Sequence, residues 1–304
     1  MQGSTVDHKL DIGFADNPNA GVNSKCRWSQ ILVPGELISN PLADKALAWL
    51  DLSRYAREVL AAQDSRRFVL GFTLCGSLMR LWEFDRLGGI ASEQFDINED
   101  GLHFVSAVLG FLWLNREQLG FDPTIITTEN KRYIEMERGD HKERVIVDEV
   151  IKWVPCVAGR ATTCWRVHRE DDPNTPLVVK DSWQYPEREE EGALLREATK
   201  NGVVNVVRYF YQQIVRIGSQ VDDIRGNVWK GLDITKATDY KPEKQMPSPG
   251  TTRRRASCRD ESSGLAGRKR SSSYTGASRS RPKFPGSQER SHCLILINFF
   301  GHQH

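Results

Sequence analysis

At 304 residues, with 39% hydrophobic and 27% charged side chains, the chain is long enough for two domains and has the composition of a soluble globular protein. The net charge of +2 conceals an asymmetry, because residues 241–304 carry 13 Lys and Arg against 4 Asp and Glu, which leaves an acidic body and a basic tail. Six cysteines without a CxxC spacing argue against a disulfide scaffold, and no signal peptide or membrane-length apolar run is apparent. We therefore expect an intracellular protein, cytoplasmic or nuclear, with no membrane partner.

Residues 1–130 are predicted to form an N-terminal α/β domain, because strand patterns and helix patterns alternate along them. Glycines separate the last three strand patterns, which should therefore form a meander. The predicted strands are 9–15, 28–38, 67–75, 77–85 and 90–97, and the predicted helices are 42–63 and 102–115.

Two acids of this domain, Asp11 and Glu36, lie on the first two predicted strands. They resemble the carboxylate pair of the restriction-nuclease-like fold, in which two acids hold a magnesium ion and a lysine two positions further on assists. Ile38 stands in the place of that lysine and has no charge to offer a phosphate. We therefore expect a scaffold without metal chemistry, with a metal-dependent nuclease as the alternative.

Trp82, Asp85 and Arg86 cluster at the end of a predicted strand. We expect them to form a structural aromatic contact and an ion pair, since ion pairs at strand ends are common.

Residues 131–240 are predicted to form a second, mostly antiparallel domain that begins with a hairpin over 131–150. A helix is predicted to end at Asn201 and Gly202, which form a good C-terminal signal. The remaining predicted strands are 154–158, 164–168, 177–181 and 206–217, and the predicted helix is 186–200.

Lys180 ends the apolar strand pattern of 177–181, and an unpaired buried ammonium is costly, so it needs an anionic partner. Glu191 can supply one, because it shares the apolar face of the following helix with Leu194 and Leu195. A strand lysine paired with a helix glutamate is the arrangement by which protein kinases hold the phosphates of ATP. Glu187 and Glu190 are fallback choices, and the alternative is a solvated lysine beside a charged first helical turn.

Several motifs together resemble the fungal-type protein kinase-like family: GRATTCWRV at 159–167, LVVKDSW at 177–183, EGALLREA at 191–198 and KGLDITKATDY at 230–240. WEFDRLGG at 82–89 and LGFDPTI at 119–125 resemble the amino-terminal region of that family. The resemblance implies an α+β fold with a kinase-like small lobe, ATP and Mg²⁺ as cofactors, and phosphoryl transfer to Ser or Thr of a protein substrate.

The turn at 159–163 should be the nucleotide-covering loop of such a lobe, with Gly159 and Thr162 as candidate contacts. It departs from a full glycine-rich loop, because only the first glycine is present and Arg160, Ala161 and Thr162 crowd the position where the backbone should approach the phosphates. A generic hairpin turn without a ligand is the alternative interpretation.

Residues 241–291 are rich in Pro, Ser, Gly and Arg and lack apolar periodicity, so they are predicted to be a disordered basic linker. The basic clusters at 253–255 and 268–270 favour nuclear import or weak contact with nucleic acid, and an unrecognised spacer is the alternative. The remaining residues, 292–304, are predicted to form a short apolar tail in which 294–300 resembles the start of a further strand; with no partner in the rest of a domain, this exposed run is an aggregation hazard.

Kinase chemistry also requires a catalytic-loop aspartate and two metal-binding side chains, and none of these motifs follows Lys180. The triplet-like runs 168–171 and 11–13 precede the lysine, in the wrong order. With only 124 residues after Lys180, we expect a fragment truncated before the catalytic lobe, without catalytic residues or a metal site and inactive alone. The alternative is a non-catalytic regulatory or interaction protein whose linker directs it to the nucleus.

Overall fold

The computed structural model describes residues 10–17, 25–129, 131–138, 141–185, 190–237 and 290–298. Within these ranges the chain is a mixed α+β protein in which sheet predominates over helix. The chain divides into two compact units, one formed by 1–232 together with 288–304 and the other by 233–287.

The first sheet of the larger unit contains six strands in the order β1-β2-β3-β4-β5, with β6 paired to β4. Strands β2 and β3 are parallel and are joined by helix α1, whereas β3, β4 and β5 are antiparallel neighbours, which confirms the predicted meander. The elements are β1 (Ile12–Ala15), β2 (Ile31–Ile38), α1 (Ala46–Ala62), β3 (Val69–Cys75), β4 (Leu78–Asp85), β5 (Gly88–Ala91), β6 (Phe95–Asp96) and α2 (Gly101–Trp113).

Both faces of this sheet are covered by apolar side chains. Leu52 and Val59 of α1 pack with Ile31 on one face, while Val33, two residues further along β2, packs with Phe111 of α2 on the other. Because successive strand residues point to opposite faces, residues 31 and 33 would share a face in a regular strand. The register between β1 and β2 shifts between Phe14 and Ala15 of β1. At this irregularity the alternation of side chains along β2 changes, so residues 31 and 33 lie on opposite faces.

The second sheet contains seven strands, all antiparallel, in the order β12-β15-β11-β10-β9-β8-β7. Helix α3 lies against β12, and a separate hairpin is formed by β13 and β14. The elements are β7 (Ile125–Thr127), β8 (Arg132–Arg138), β9 (His141–Trp153), β10 (Thr163–Arg169), β11 (Asp172–Gln184), α3 (Glu191–Lys200), β12 (Arg208–Ile214), β13 (Arg216–Ile217), β14 (Gln220–Val221) and β15 (Ser291–Asn298).

Strand β15 corrects the prediction of an exposed, unpaired apolar tail. It lies between β11 and β12 and pairs with both along almost its whole length. Leu294, Ile295 and Leu296 are buried, and Leu294 and Leu296 join the core of the second sheet. The prediction was wrong because the partners of this strand lie about 80 and 110 residues earlier in the sequence.

Several other predicted elements differ from the structure, and the strand expected at 90–97 divides into β5 and β6. The strand expected at 154–158 is absent from the described residues, because β9 extends to Trp153 and a turn follows it. The strand expected at 206–217 divides into β12 and β13 at Val215, whose backbone N–H donates to His292 O at 2.9 Å. Helix α1 begins four residues later than residue 42, after a short 3₁₀ turn at Pro41–Ala43.

The described residues of the smaller unit, 233–237, form a 3₁₀ turn at Ile234–Lys236. The Asp233 side chain accepts hydrogen bonds from the Thr235 backbone and hydroxyl, which satisfies the start of this turn. Apart from residue 291, which begins β15, and residue 290 before it, the segment 241–291 lies outside the described residues, and with it the predicted basic linker. The proposed domain boundary at residue 130 stays a prediction.

In the described part of the chain, no helix combines the length and the apolar character needed to cross a membrane.

Candidate functional site

The candidate site is organised around Lys180 on β11 and Glu191 in the first turn of α3. Lys180 Nζ donates a hydrogen bond to Glu191 Oε1, and the two side chains are 23% and 30% exposed. The contact expected from the sequence is therefore present. The surrounding protein covers most of both side chains, so solvent screens this pair less than a fully exposed ion pair. The exposed fraction leaves both groups accessible to a ligand.

A close approach between α3 and β12 positions Glu191. A Cβ atom on Gly192 would overlap the Gln212 side chain, so any other residue here would require Gln212 to move away from the helix. Gln212 Nε2 also donates to Glu190 Oε2 at 3.3 Å. The first turn of α3 is thus held against β12 on both sides of Glu191.

Strand register places four further residues in one row with Lys180. Lys152 on β9 is opposite Cys164 on β10, which is opposite Lys180; on the other side, Ile295 of β15 and Gln212 of β12 continue the row. Directly paired residues of antiparallel strands share a face, so this row forms one surface beneath the start of α3. Burial raises the pKa of the Cys164 thiol, and the nearby Lys180 opposes that rise.

Of the three acids considered as partners of Lys180, Glu191 makes the contact. Glu190 instead bonds to Gln212. Glu187 lies outside the described residues.

The turn between β9 and β10 lies beside this pair. Gly159 has φ +135° and Ala161 has φ +43°, so the backbone passes twice through the region that favours glycine. Gly159 N donates to Arg86 O at 3.0 Å, and Thr162 O accepts from Val154 N at 3.0 Å. Gly159 and Thr162 are thus held in one ordered turn, although the contact with the Lys180–Glu191 pair comes from the residue between them, Arg160.

Arg160 Nη2 lies 2.9 Å from Glu191 Oε2, so Glu191 contacts two cations, one at each carboxylate oxygen. Burial raises the pKa of Glu191, but hydrogen bonds from Lys180 and Arg160 outweigh it and lower that pKa overall. The carboxylate therefore stays ionised, and the three groups together carry one net positive charge.

The predicted acid pair of the first sheet also makes contact. Asp11 Oδ2 accepts a hydrogen bond from Leu37 N at 3.3 Å, next to Glu36. Burial raises the pKa of Glu36, with a hydrogen bond from Tyr55 opposing and the charge of Asp11 adding to the rise. Among the described residues, no group of three or more His, Cys, Asp or Glu side chains could hold a metal ion.

Asp85 and Arg86 take separate partners rather than pairing with each other, so the predicted ion pair is wrong. Asp85 accepts hydrogen bonds from Leu87 N at 2.6 Å and from the Trp229 indole. Arg86 Nη1 donates to Cys156 O at 2.7 Å, at the start of the turn that carries Arg160. The prediction failed because β4 ends at Asp85 and Arg86 begins the following turn, where its guanidinium group bonds to backbone carbonyls instead.

The Trp82 side chain packs against neighbouring side chains of the first sheet. It stacks on Phe84 with a centroid distance of 5.7 Å, and its indole N–H donates to Thr73 Oγ1 at 3.2 Å.

The run at 168–171 that imitates a catalytic triplet lies on β10 and the turn after it. His168 Nδ1 is 2.8 Å from Asp148, and Arg169 contacts Glu143 and Asp171. His168 and Asp148 thus interact across two strands, as do Arg169 and Glu143, while the contact of Arg169 with Asp171 lies within the turn. The other imitation, at 11–13, lies at the start of β1.

Sequence reasoning missed a buried charge cluster centred on His292 of β15. His292 Nε2 contacts Asp181, and His292 Nδ1 lies 3.0 Å from Asp222 and 3.8 Å from Asp122. Burial lowers the pKa of His292, but the charges of Asp181 and its neighbours outweigh this and raise it well above its usual value. The ring also stacks on Trp183 at 4.8 Å.

No local signal could have identified this cluster, because its members lie 41 to 170 positions apart in the sequence. Asp222 also accepts a hydrogen bond from Arg67 Nη1 at 2.6 Å, in the segment that leads into β3 of the first sheet. The cluster therefore connects β15 of the second sheet to the first sheet of the larger unit.

A family model described as fungal protein kinase matches residues 9–303. No curated protein and no solved structure matches the chain.

Proposed function

Since the chain belongs to the fungal protein kinase family, we propose that its second sheet with α3 is the ATP-binding small lobe of such a kinase. The observation that carries the proposal is the contact between Lys180 and Glu191, at the sites where a kinase has its strand lysine and helix glutamate. In this role Lys180 binds the phosphates of ATP, and Glu191 orients the ammonium group.

The chain's own groups suit a nucleotide better than a metal ion. Lys180 and Arg160 offer cationic N–H donors, which are the groups that bind phosphate. The family uses ATP with Mg²⁺ in general, but the described residues contain no carboxylate cluster that fits the metal. The proposal therefore assigns nucleotide contacts to this chain and no metal ligand.

We further propose that this chain does not transfer phosphate by itself. Transfer requires an aspartate that orients the acceptor hydroxyl and side chains that hold Mg²⁺. No His-Arg-Asp triplet follows Lys180 in this sequence, and the side chains of His168 and Arg169 in the similar run before it contact acids on a neighbouring strand.

Titration of the chain with ATP by calorimetry tests nucleotide binding. We expect binding that weakens about tenfold or more in Lys180→Met, because a charge-assisted bond to phosphate is lost. Lys142→Met is the matched control, since Lys142 is also a lysine of the second sheet near an acid, Glu135 at 3.9 Å, but lies at the far end of β9. Equal ATP affinity in the native chain and in Lys180→Met would refute the proposed site.

Incubation with labelled ATP and Mg²⁺ tests the inactivity. We expect no incorporation into the chain or into a general Ser/Thr substrate above the level without protein. Incorporation that disappears in Lys180→Ala would show that the chain is an active kinase.

The second candidate is a regulatory or interaction protein that binds no nucleotide. The missing catalytic motifs favour it. The same calorimetric titration separates the two candidates, since a pure interaction protein would bind no ATP at millimolar concentration.

A metal-dependent nuclease is a weaker third candidate. Asp11 and Glu36 are its only support, since Ile38 replaces the expected lysine. Magnesium-dependent DNA cleavage lost in Asp11→Ala and Glu36→Ala would be required to establish it.

Nuclear localisation is a separate proposal that depends on the basic clusters at 253–255 and 268–270. A fluorescent fusion of the chain should accumulate in nuclei and lose that accumulation when both clusters are changed to glutamine. An unchanged distribution of the fusion protein would show that the basic clusters do not direct it to the nucleus and that the segment is a spacer.

A further inference from the structure

The side chain of Arg160 occupies the position between the turn at 159–163 and the Lys180–Glu191 pair. We infer that Arg160 is a second phosphate-binding cation, which acts with Lys180 on the polyphosphate group of the ligand. This inference deepens the proposed nucleotide site and depends on it for the identity of the ligand.

The backbone on both sides of Arg160 is held in place, and the contact with Glu191 holds its guanidinium group beside Lys180. Gly159 N donates to Arg86 O at 3.0 Å, and Arg160 O accepts from Trp183 N at 2.9 Å. Arg86 also binds Cys156 O at 2.7 Å. A turn anchored in this way loses less conformational freedom on binding than a mobile loop does.

The net charge of Lys180, Arg160 and Glu191 favours binding of an anion. Glu191 provides one negative charge against the two positive charges of Lys180 and Arg160, so the site carries a positive excess. A polyphosphate matches this excess, because its oxygens can accept hydrogen bonds from both cations.

Unused donors on Arg160 point to the same chemistry. Its contact with Glu191 is made through Nη2, while Nε is buried and has no hydrogen-bond partner among the described residues. A guanidinium group presents five N–H donors in a fixed planar fork that suits phosphate oxygens.

An alternative is that Arg160 is a plug that must leave before a nucleotide can bind. The geometry favours the role of a ligand, because Arg160 uses Glu191 Oε2 and leaves Oε1 to Lys180. Lys180 therefore keeps its orienting acid while Arg160 is in place. The side chains of Ala161 and Thr162 restrict the approach of the turn backbone to phosphate. A phosphate contact from the Arg160 side chain would replace the backbone contacts that are lost.

Calorimetric titration of the full chain with ATP, adenosine and inorganic tripolyphosphate tests the inference. We expect Arg160→Gln to weaken ATP and tripolyphosphate binding about tenfold, the effect of losing one charge-assisted hydrogen bond, and to leave adenosine binding unchanged. Arg160→Lys keeps the charge without the fork and should lose less. Arg166→Gln is the matched control, because Arg166 on β10 also pairs with an acid, Glu149 at 3.1 Å.

The outcomes separate this inference from the proposed function. If ATP binds in a Lys180-dependent manner and Arg160→Gln has no effect or strengthens binding, the inference is wrong and the nucleotide site stands. If tripolyphosphate binds in an Arg160-dependent manner but ATP binds no better than tripolyphosphate and adenosine does not bind, the inference stands and the nucleotide assignment fails. If the native chain binds neither ATP nor tripolyphosphate, both are overturned.

Discussion

Replacing Leu294 by alanine tests the placement of β15 at the centre of the second sheet. Leu294 is 0% exposed and pairs opposite Asp181 on β11 and Gln213 on β12. It belongs to the apolar cluster that contains Trp165 and Val179. Truncation would therefore leave a cavity between strands that approach this residue from both sides.

The size of the effect follows from this burial. Truncating a fully buried leucine to alanine costs about 2–5 kcal/mol, since transfer free energy is lost and the surrounding side chains relax only in part. Leu102→Ala is the matched control, because Leu102 at the start of α2 is 80% exposed. Substitutions at such exposed positions usually change the free energy of unfolding by about 0.5 kcal/mol or less.

Urea unfolding followed by tryptophan fluorescence measures the difference. For a dependence of about 2–3 kcal/mol per molar urea, Leu294→Ala should lower the unfolding midpoint by about 1 M, while Leu102→Ala leaves it nearly unchanged. Equal midpoints for the two variants would show that residues 291–298 do not form a buried central strand, and the topology of this sheet would have to be abandoned.

Two further predictions concern α3 and the buried histidine. Gly192→Ala should lower both the melting temperature and the ATP affinity, because the added methyl displaces Gln212 and moves Glu191 from Lys180. Adding Gln212→Ala should restore part of the melting temperature and part of the affinity. No recovery in the double variant would contradict this packing. His292 has a folded-state pKa raised above its unfolded value near 6.5, so the native state retains a proton that the unfolded chain releases. The free energy of unfolding should therefore be highest below that value and fall above it by up to about 1.4 kcal/mol per pH unit until the folded pKa is reached. Urea midpoints across this range should lose that slope in His292→Gln, and an equal slope in both chains would assign the dependence to other groups.

Much of the candidate site could be predicted because its signals are local. Lys180 and Glu191 are eleven positions apart, one at the end of an apolar strand pattern and one on the apolar face of the next helix. A short connection between adjacent elements leaves few ways to arrange them, so pattern and charge were enough to pair the two residues. From the sequence, Arg160 is expected only to obstruct phosphate, since its contact with Glu191 depends on the conformation of the turn.

By itself, the sequence determined the mixed α+β character, the meander of the first sheet, the main helices and the lysine–glutamate pair. These follow from periodicity and from contacts between neighbouring elements, whose energies act over short stretches of chain. Only the tertiary structure decided that residues 291–298 enter the second sheet between β11 and β12, and that His292 lies among Asp122, Asp181 and Asp222. Strand pairing uses backbone groups that every residue shares, so an apolar strand pattern does not specify which distant strand completes it.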